Sequence, residues 1–395
     1  MKALRYAQRL VGFESVSHQS NRLVSKYLEM KLNKFGFLVE ELTYRDAAGT
    51  LKVNLVARKG NLPPPLEHTT SVATATPPAA PRNGLAYFCH TDVVPVTSWF
   101  TKEFGPFEPT VRQERLYGRG SCDMKGSIAC MLAAARKFDW HDLRRPLYFV
   151  CTADEEVGFH GIRHVVSHSQ YFRELVNRQV PAIIGEPTQL EIVHAHKGSL
   201  RLVATARGTA VHSSTGIRTN ANLALIPFAV EMKEICEETE ADPRWQNRQF
   251  TPPTLTWNIG LRDNASALNI TASESVCSVY ARPMPDVAFQ PLLDRVAAAA
   301  ERHGLQLQII RACEPFWVPP DSPFVTAACQ LAHRAAPRTV SYATDGGLLG
   351  ELSEKIICGP GGVEQAHTHD EWISLEQLAR GTELYQKMIQ AWCCD

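Results

Sequence analysis

Six residues able to hold a metal or move a proton stand where apolar strand-like runs end or at the mouth of a helix: His90, Asp123, Glu155, Glu156, Glu186 and His367. Ala86-Tyr87-Phe88-Cys89 leads into His90, and Leu147-Tyr148-Phe149-Val150-Cys151 leads into Asp154-Glu155-Glu156. Ala182-Ile183-Ile184-Gly185 leads into Glu186, and Ile356-Ile357-Cys358-Gly359 leads through a glycine turn to His367. In an open α/β sheet, chemistry gathers at the carboxyl ends of the strands. Two imidazoles and several carboxylates converging there suit a pair of divalent cations, zinc best of all.

Each motif has a plainer reading beside the chemical one. His90-x-Asp92 reads as a metal-binding imidazole whose other nitrogen donates to a carboxylate, or as a surface polar pair. Asp123 follows the glycines of Gly118-Arg119-Gly120 and precedes a helix, so it is a bridging carboxylate or a helix cap. Glu155 and Glu156 end an apolar strand; one can bind metal while its neighbour stays free as a base for water. His369 lies two residues from His367 and competes for the same role. For His194 and His196, packing or surface is the better reading. Asp345, in Ala343-Thr344-Asp345-Gly346-Gly347, meets a substrate group or simply makes a turn.

The surrounding periodicities supply the scaffold. Residues 3–35 carry apolar positions at helical spacing, including Leu23, Val24, Tyr27, Leu28 and Leu32. Leu38-Val39-Glu40-Glu41-Leu42 and Val53-Asn54-Leu55-Val56-Ala57 read as strands. Residues 61–83, rich in Pro, Thr, Ala and Ser, read as a mobile surface loop between two strands. Residues 124–138 read as a helix with Ile128, Met131, Leu132 and Ala135 on one face. After Lys197-Gly198 the pattern changes. Residues 200–207, 254–261, 275–282 and 305–310 read as strands, and 220–239 and 291–303 as helices. That β-α-β-β-α-β order implies a small antiparallel sheet with helices on one face, a ferredoxin-like α+β unit. It reads as an insertion at 199–311 between two parts of an α/β domain, 1–198 and 312–395.

The 395 residues suffice for two such domains. With a formal net charge of zero, no basic excess favours nucleic acid or an anionic membrane as a partner. No apolar run reaches the length of a membrane span. The start, Met1-Lys2-Ala3-Leu4-Arg5-Tyr6, lacks the apolar stretch of a secretory signal. Eleven cysteines without CxxC pairs read as reduced thiols, so a cytoplasmic protein is expected. Cys393-Cys394 reads as an exposed tail.

Taken in order along the chain, these motifs resemble a known family. They are His90-Thr91-Asp92-Val93-Val94-Pro95, Gly118-Arg119-Gly120 through Asp123-Met124-Lys125-Gly126, Asp154-Glu155-Glu156, and Gly185-Glu186-Pro187-Thr188. His196-Lys197-Gly198, Gly208 through His212-Ser213-Ser214, and Gly359-Pro360-Gly361 through His367 follow. As a set they resemble the co-catalytic zinc amidohydrolases: acetylornithine deacetylase, succinyl-diaminopimelate desuccinylase, aminoacylases and bacterial glutamate carboxypeptidase.

The resemblance implies a zinc-peptidase-like α/β catalytic domain, with a mixed central sheet flanked by helices, and an inserted lid that also forms a homodimer. It implies two Zn2+, with Co2+ able to substitute. Asp123 would bridge them, His90 and Glu186 would hold one, and Glu156 and His367 the other, which decides for His367 over His369. Asp92 would orient His90, Glu155 would be the general base, and the Asp123–Met124 peptide would be cis. His212 would stabilise the oxyanion from the partner subunit, and Asn269 and Arg282 would contact substrate. Two departures stand in the lid: Tyr280-Ala281-Arg282 lacks the acidic residue often found there, and Asn269-Ile270-Thr271 lacks a proline.

The expected reaction is hydrolysis of the amide of an N-acyl amino acid. Glu364-Gln365-Ala366-His367 followed by Asp370-Glu371 is closest to acetylornithine deacetylase, which would place the chain in arginine synthesis. Succinyl-diaminopimelate comes second, because no arginine cluster beyond Arg282 offers itself to several carboxylates; a general acyl-amino acid or dipeptide comes third. A non-catalytic binding protein on the same fold usually lacks a ligand or the base, and both are present here. A structural zinc protein would need clustered thiolates, which this spacing does not provide.

Overall fold

The computed structural model of the chain describes residues 2–62, 83–215 and 220–395. All but residues 61, 62 and 83 of the Pro/Thr-rich stretch lie outside the described residues. Two compact units emerge: Met1–Ala195 with Val318–Arg338 and Thr344–Asp395, and His196–Trp317 with Thr339–Ala343. The sequence places the insertion at 199–311.

The first unit is built on a mixed sheet. Its strands run in the order Leu38–Arg45, Leu51–Lys59, Leu147–Thr152, Leu85–His90, Ala182–Ile184, Lys355–Ile357 and Val193–His196. The four central strands, from Leu147–Thr152 to Lys355–Ile357, are parallel, while Leu38–Arg45 and Leu51–Lys59 join antiparallel. Every residue of Leu85–His90 and Leu147–Thr152 is buried, as expected for parallel strands covered on both faces. Neighbouring side chains on a strand point to opposite faces. Tyr87 accordingly meets Tyr385 of the helix Leu375–Ile389, while Phe88 meets Phe172 of the helix Gln170–Asn177.

A chain of hydroxyls ties the sheet to that first helical layer. Tyr385 donates to the Cys358 carbonyl at 2.8 Å. Ser127 must then donate to Tyr385, and Tyr87 to Ser127, each also at 2.8 Å. The expected helix at 3–35 is two helices, Lys2–Val11 and Arg22–Lys34, because the segment between them turns to bond the His90 loop: Val93 N donates to the Ser15 carbonyl at 3.0 Å. A small second sheet pairs Trp372–Ser374, Arg115–Tyr117 and Thr110–Arg112.

In the second unit an antiparallel sheet runs Thr256–Asp263, Glu274–Arg282, Ser199–Arg207, Gln306–Cys313, with helices Ala221–Ala241 and Gln290–Arg302. The chain order is β-α-β-β-α-β. Leu200, Leu202, Ala204 and Ala206 are buried while the residues between them are less so, the alternation of a sheet with one covered face.

No helix among the described residues is long and apolar enough to cross a membrane. None of the eleven cysteines, all among the described residues, is in a disulfide. The exposed-tail reading of Cys393 is overturned: Cys393 is buried in the C-terminal turn, beside Trp392 packed edge-on to Phe324, and its carbonyl accepts from Arg145 N at 3.0 Å.

Candidate metal centre

Asp123 sits in an irregular turn, Ser121–Lys125, entered through Gly120 at φ +80, a conformation glycine adopts without strain. The Asp123–Met124 peptide is cis. Neither residue has helical angles, so the helix begins at Gly126 and not at 124, and Asp123 does not cap it. Its two carboxylate oxygens instead face two different imidazoles. Oδ1 lies 3.0 Å from His90 Nε2, and Oδ2 lies 3.4 Å from His367 Nε2.

His90 closes its strand directly opposite Thr152. Its Nε2 is also 3.7 Å from Glu186 Oε1. Its Nδ1 donates to the main-chain carbonyl of Asp92 at 2.9 Å, while the Asp92 carboxylate, expected to hold the ring, stands at 3.6 Å. That carboxylate accepts instead from Glu155 N (3.2 Å), Glu156 N (3.4 Å) and Ser17 Oγ (2.8 Å). Asp92 thus joins the His90 strand to the glutamate turn, its carbonyl serving the ring and its carboxylate the turn. Glu156 Oε1 lies 3.0 Å from His367 Nε2. His90, Asp123 and Glu156 can offer one ligand atom each within 4.8 Å of one another.

The electrostatics call for added positive charge. Burial, with the neighbouring carboxylates, pushes Glu155 and Glu186 well above the usual carboxylate range, and burial raises Glu156 as well. Asp123 goes the other way: burial opposes it, but its hydrogen bonds to His367 and His90 hold it low. Hydrogen bonds to Asp123 and Glu156 lift His367 to about 10. Burial works against protonating His90, yet Glu186, Asp123 and Asp92 together raise it well above the ordinary histidine value. Oxygen and imidazole donors packed this closely fit divalent metals, which bind carboxylates and neutral imidazoles in their deprotonated forms.

Residues 86–391 match Peptidase family M20/M25/M40. The chain belongs to this family. It is 30% identical over 387 residues to an acetylornithine deacetylase of Photorhabdus laumondii, covering 95% of this chain and 91% of the relative. Among solved structures it resembles the M20 family metallo-carboxypeptidase Sso-CP2 of Sulfolobus solfataricus, with TM-score 0.75 and 15% identity over 99% of each chain. It also resembles the YXEP protein of Bacillus subtilis, a dinuclear metal-binding peptidase of the M20 family, with TM-score 0.62 and 14% identity over 98% of this chain and 96% of the other. As an M20 chain it is a hydrolase.

The remaining candidates in this M20 chain are placed as follows. His369 is engaged elsewhere, its Nδ1 on Ser98 Oγ and its ring against Phe100 at 4.6 Å. His194 donates from Nδ1 to the Val318 carbonyl at 2.7 Å, and His196 from Nδ1 to the Lys197 carbonyl at 2.8 Å; both are buried packing residues. In the second unit His212 is exposed, with Nδ1 2.7 Å from Ser214 Oγ and Nε2 3.5 Å from Asn269 Nδ2. Arg282 ends its strand with its guanidinium 5.1 Å above the Tyr280 ring and its Nη1 buried without a hydrogen bond among the described residues.

Two further buried carboxylates brace the M20 site through partners that the motifs do not show. Asp345 is buried, accepts the Thr152 hydroxyl at 2.7 Å, and is pushed by burial up to about 7. Asp154, at φ +56, is held by Lys52 Nζ at 2.6 Å and Tyr44 Oη at 2.7 Å, immediately before Glu155. Their partners are far away in sequence; the signal that could have pointed to a buried pair is Lys52 near the start of a largely buried strand, Leu51–Lys59.

Proposed function

We propose that the protein hydrolyses the amide of an N-acyl amino acid, N-acetylornithine first, using two Zn2+ held by His90, Asp123, Glu156, Glu186 and His367. The observation that carries this reading is Asp123 with one oxygen turned to each of two imidazoles, the arrangement a bridging carboxylate needs. Bound cations would polarise the acyl carbonyl and acidify water. Glu155, buried beside the ligands, takes a proton from the attacking water and delivers it to the departing amine. Water and amide thereby become a carboxylate and a free amino acid. His212 donates to the developing oxyanion from a partner subunit, and Asn269 and Arg282 bind substrate, Arg282 through a carboxylate.

The Photorhabdus laumondii deacetylase supports the deacetylase reading, and the dinuclear peptidase of Bacillus subtilis supports two metals. A homodimer through the second unit is supported by Leu223, Ile226 and Val230. They are 49%, 54% and 50% exposed and lie on one face of the helix Ala221–Ala241. Free buried thiols accord with a cytoplasmic place.

The test is amine release by zinc- or cobalt-loaded protein from N-acetylornithine, succinyl-diaminopimelate, N-acetylmethionine and a plain dipeptide. Preference for N-acetylornithine is expected. Preference for another member would keep the reaction and replace the substrate; no turnover of any would favour an untested acyl group or a binding protein.

A further inference from the structure

Glu371 is fully buried, yet its carboxylate gathers four N–H donors. Oε2 accepts from Arg119 Nη1 at 2.8 Å and Gly120 N at 2.9 Å. Oε1 accepts from Cys122 N at 2.8 Å and Asp123 N at 3.0 Å. The Glu371 carbonyl takes a fifth bond, from Gly118 N at 3.0 Å. One acidic residue therefore satisfies most of the turn that presents Asp123. Arg119 extends the grip backwards, because its Nη2 donates to the Thr368 carbonyl at 3.0 Å, one residue past His367.

Both loops leave from one ladder, in which Trp372 faces Tyr117, Ile373 faces Leu116 and Ser374 faces Arg115. The candidate ligands differ in how firmly the fold holds them. His90 ends a buried strand with its side chain 1% exposed, and Glu186 is 8% exposed. His367 sits in a loop at φ +60 with its side chain 51% exposed. Its place relative to Asp123 depends on how the two loops are fastened together.

We infer that Glu371 is a positioning residue that fixes Asp123 against His367, and so governs occupation of the cation position formed by Asp123, Glu156 and His367. The inference rests on the two-cation reading above. The position formed by Asp123, His90 and Glu186 draws its rigidity from the sheet and depends on Glu371 less. A glutamine at 371 would turn an amide N–H2 towards two N–H donors, losing acceptors and setting donors against each other.

The experiment titrates metal-free wild type, Glu371→Gln and Glu371→Asp with Co2+, following heat and the cobalt visible spectrum, with thermal melts confirming folding. Wild type is expected to take two equivalents. Glu371→Gln should keep one near its wild-type affinity and bind the other about 10- to 100-fold more weakly, with loss of that site's spectral component. Glu371→Asp, which retains the charge, should recover part of the loss. Equal weakening of both equivalents, or none, overturns the inference. If Glu371→Gln does not fold, Arg119→Lys, which keeps a charge partner but not the fork to Thr368, is expected to show the same one-sided loss, and a two-sided loss overturns it. Fewer than two equivalents in wild type removes the two-cation reading itself, whatever the variants do.

Discussion

Lys52 and Asp154 form an ion pair at 2.6 Å with side chains 1% and 2% exposed. Lys52 also donates to the carbonyls of Ser17 and Gln19, the latter at 3.1 Å, and Asp154 accepts the Tyr44 hydroxyl. The pair anchors the turn that carries Glu155 and Glu156. Breaking one side of a buried pair leaves the other charge uncompensated. Lys52→Met should therefore lower stability by about 3–5 kcal/mol in denaturant unfolding. The double variant Lys52→Met with Asp154→Asn should recover part of that, since the neutral amide needs no counter-charge.

Asp345 gives a pH signature in the metal-free protein. Burial raises its pKa from 3.8 to about 7, so the folded state holds its proton more tightly than the unfolded chain. This contribution to stability is greatest below the unfolded value. It declines as pH climbs from about 4 to about 7, and levels off above that. Asp345→Asn removes the ionisation while keeping an acceptor for Thr152. The melting temperature of the variant should rise relative to wild type across that window, by up to the equivalent of about 4 kcal/mol at neutral pH. A difference that stays flat with pH would deny Asp345 its buried charge.

The proposed role of Glu155 as base separates chemistry from metal binding. Glu155→Gln should cut kcat by about 10²- to 10⁴-fold, the usual worth of a general base. Metal content by elemental analysis and the melting temperature should stay close to wild type. Loss of metal along with turnover would make Glu155 a ligand.

The hydroxyl chain through Ser127 has only one consistent direction, because Tyr385 spends its proton on the Cys358 carbonyl. Ser127→Ala should strand the buried Tyr87 hydroxyl without an acceptor and cost about 1–3 kcal/mol. Adding Tyr87→Phe to that variant should restore stability, which a double-mutant cycle would read directly.

The strand ends bearing His90, Glu155, Glu156 and Glu186 were legible because a buried parallel strand is a continuous apolar run, and the polar residue ending it is conspicuous. The alternating strands and helices of the second unit were legible for the same reason of period. The clamps were not. Glu371 and Arg119 lie 252 positions apart, and Lys52 and Asp154 lie 102 apart, so no local pattern joins them. The helix at 124 starts late because Asp123 and Met124 leave helical geometry, a backbone choice composition does not encode. Cys393 looked like a tail because its neighbours in sequence are few, whereas its neighbours in space are Pro146 and Arg145.

The candidate ligands His90, Asp123, Glu156 and Glu186 precede the second unit in the chain, while His367 and Glu371 follow it. A ribosome therefore makes four of the five candidate ligands before the second unit and His367 only after it. Until that late loop emerges, the early donors form a crowd of acids with no second imidazole to balance them. The order of synthesis makes a chain that reaches His367, and no fragment that stops before it, the species in which the candidate ligand set is whole.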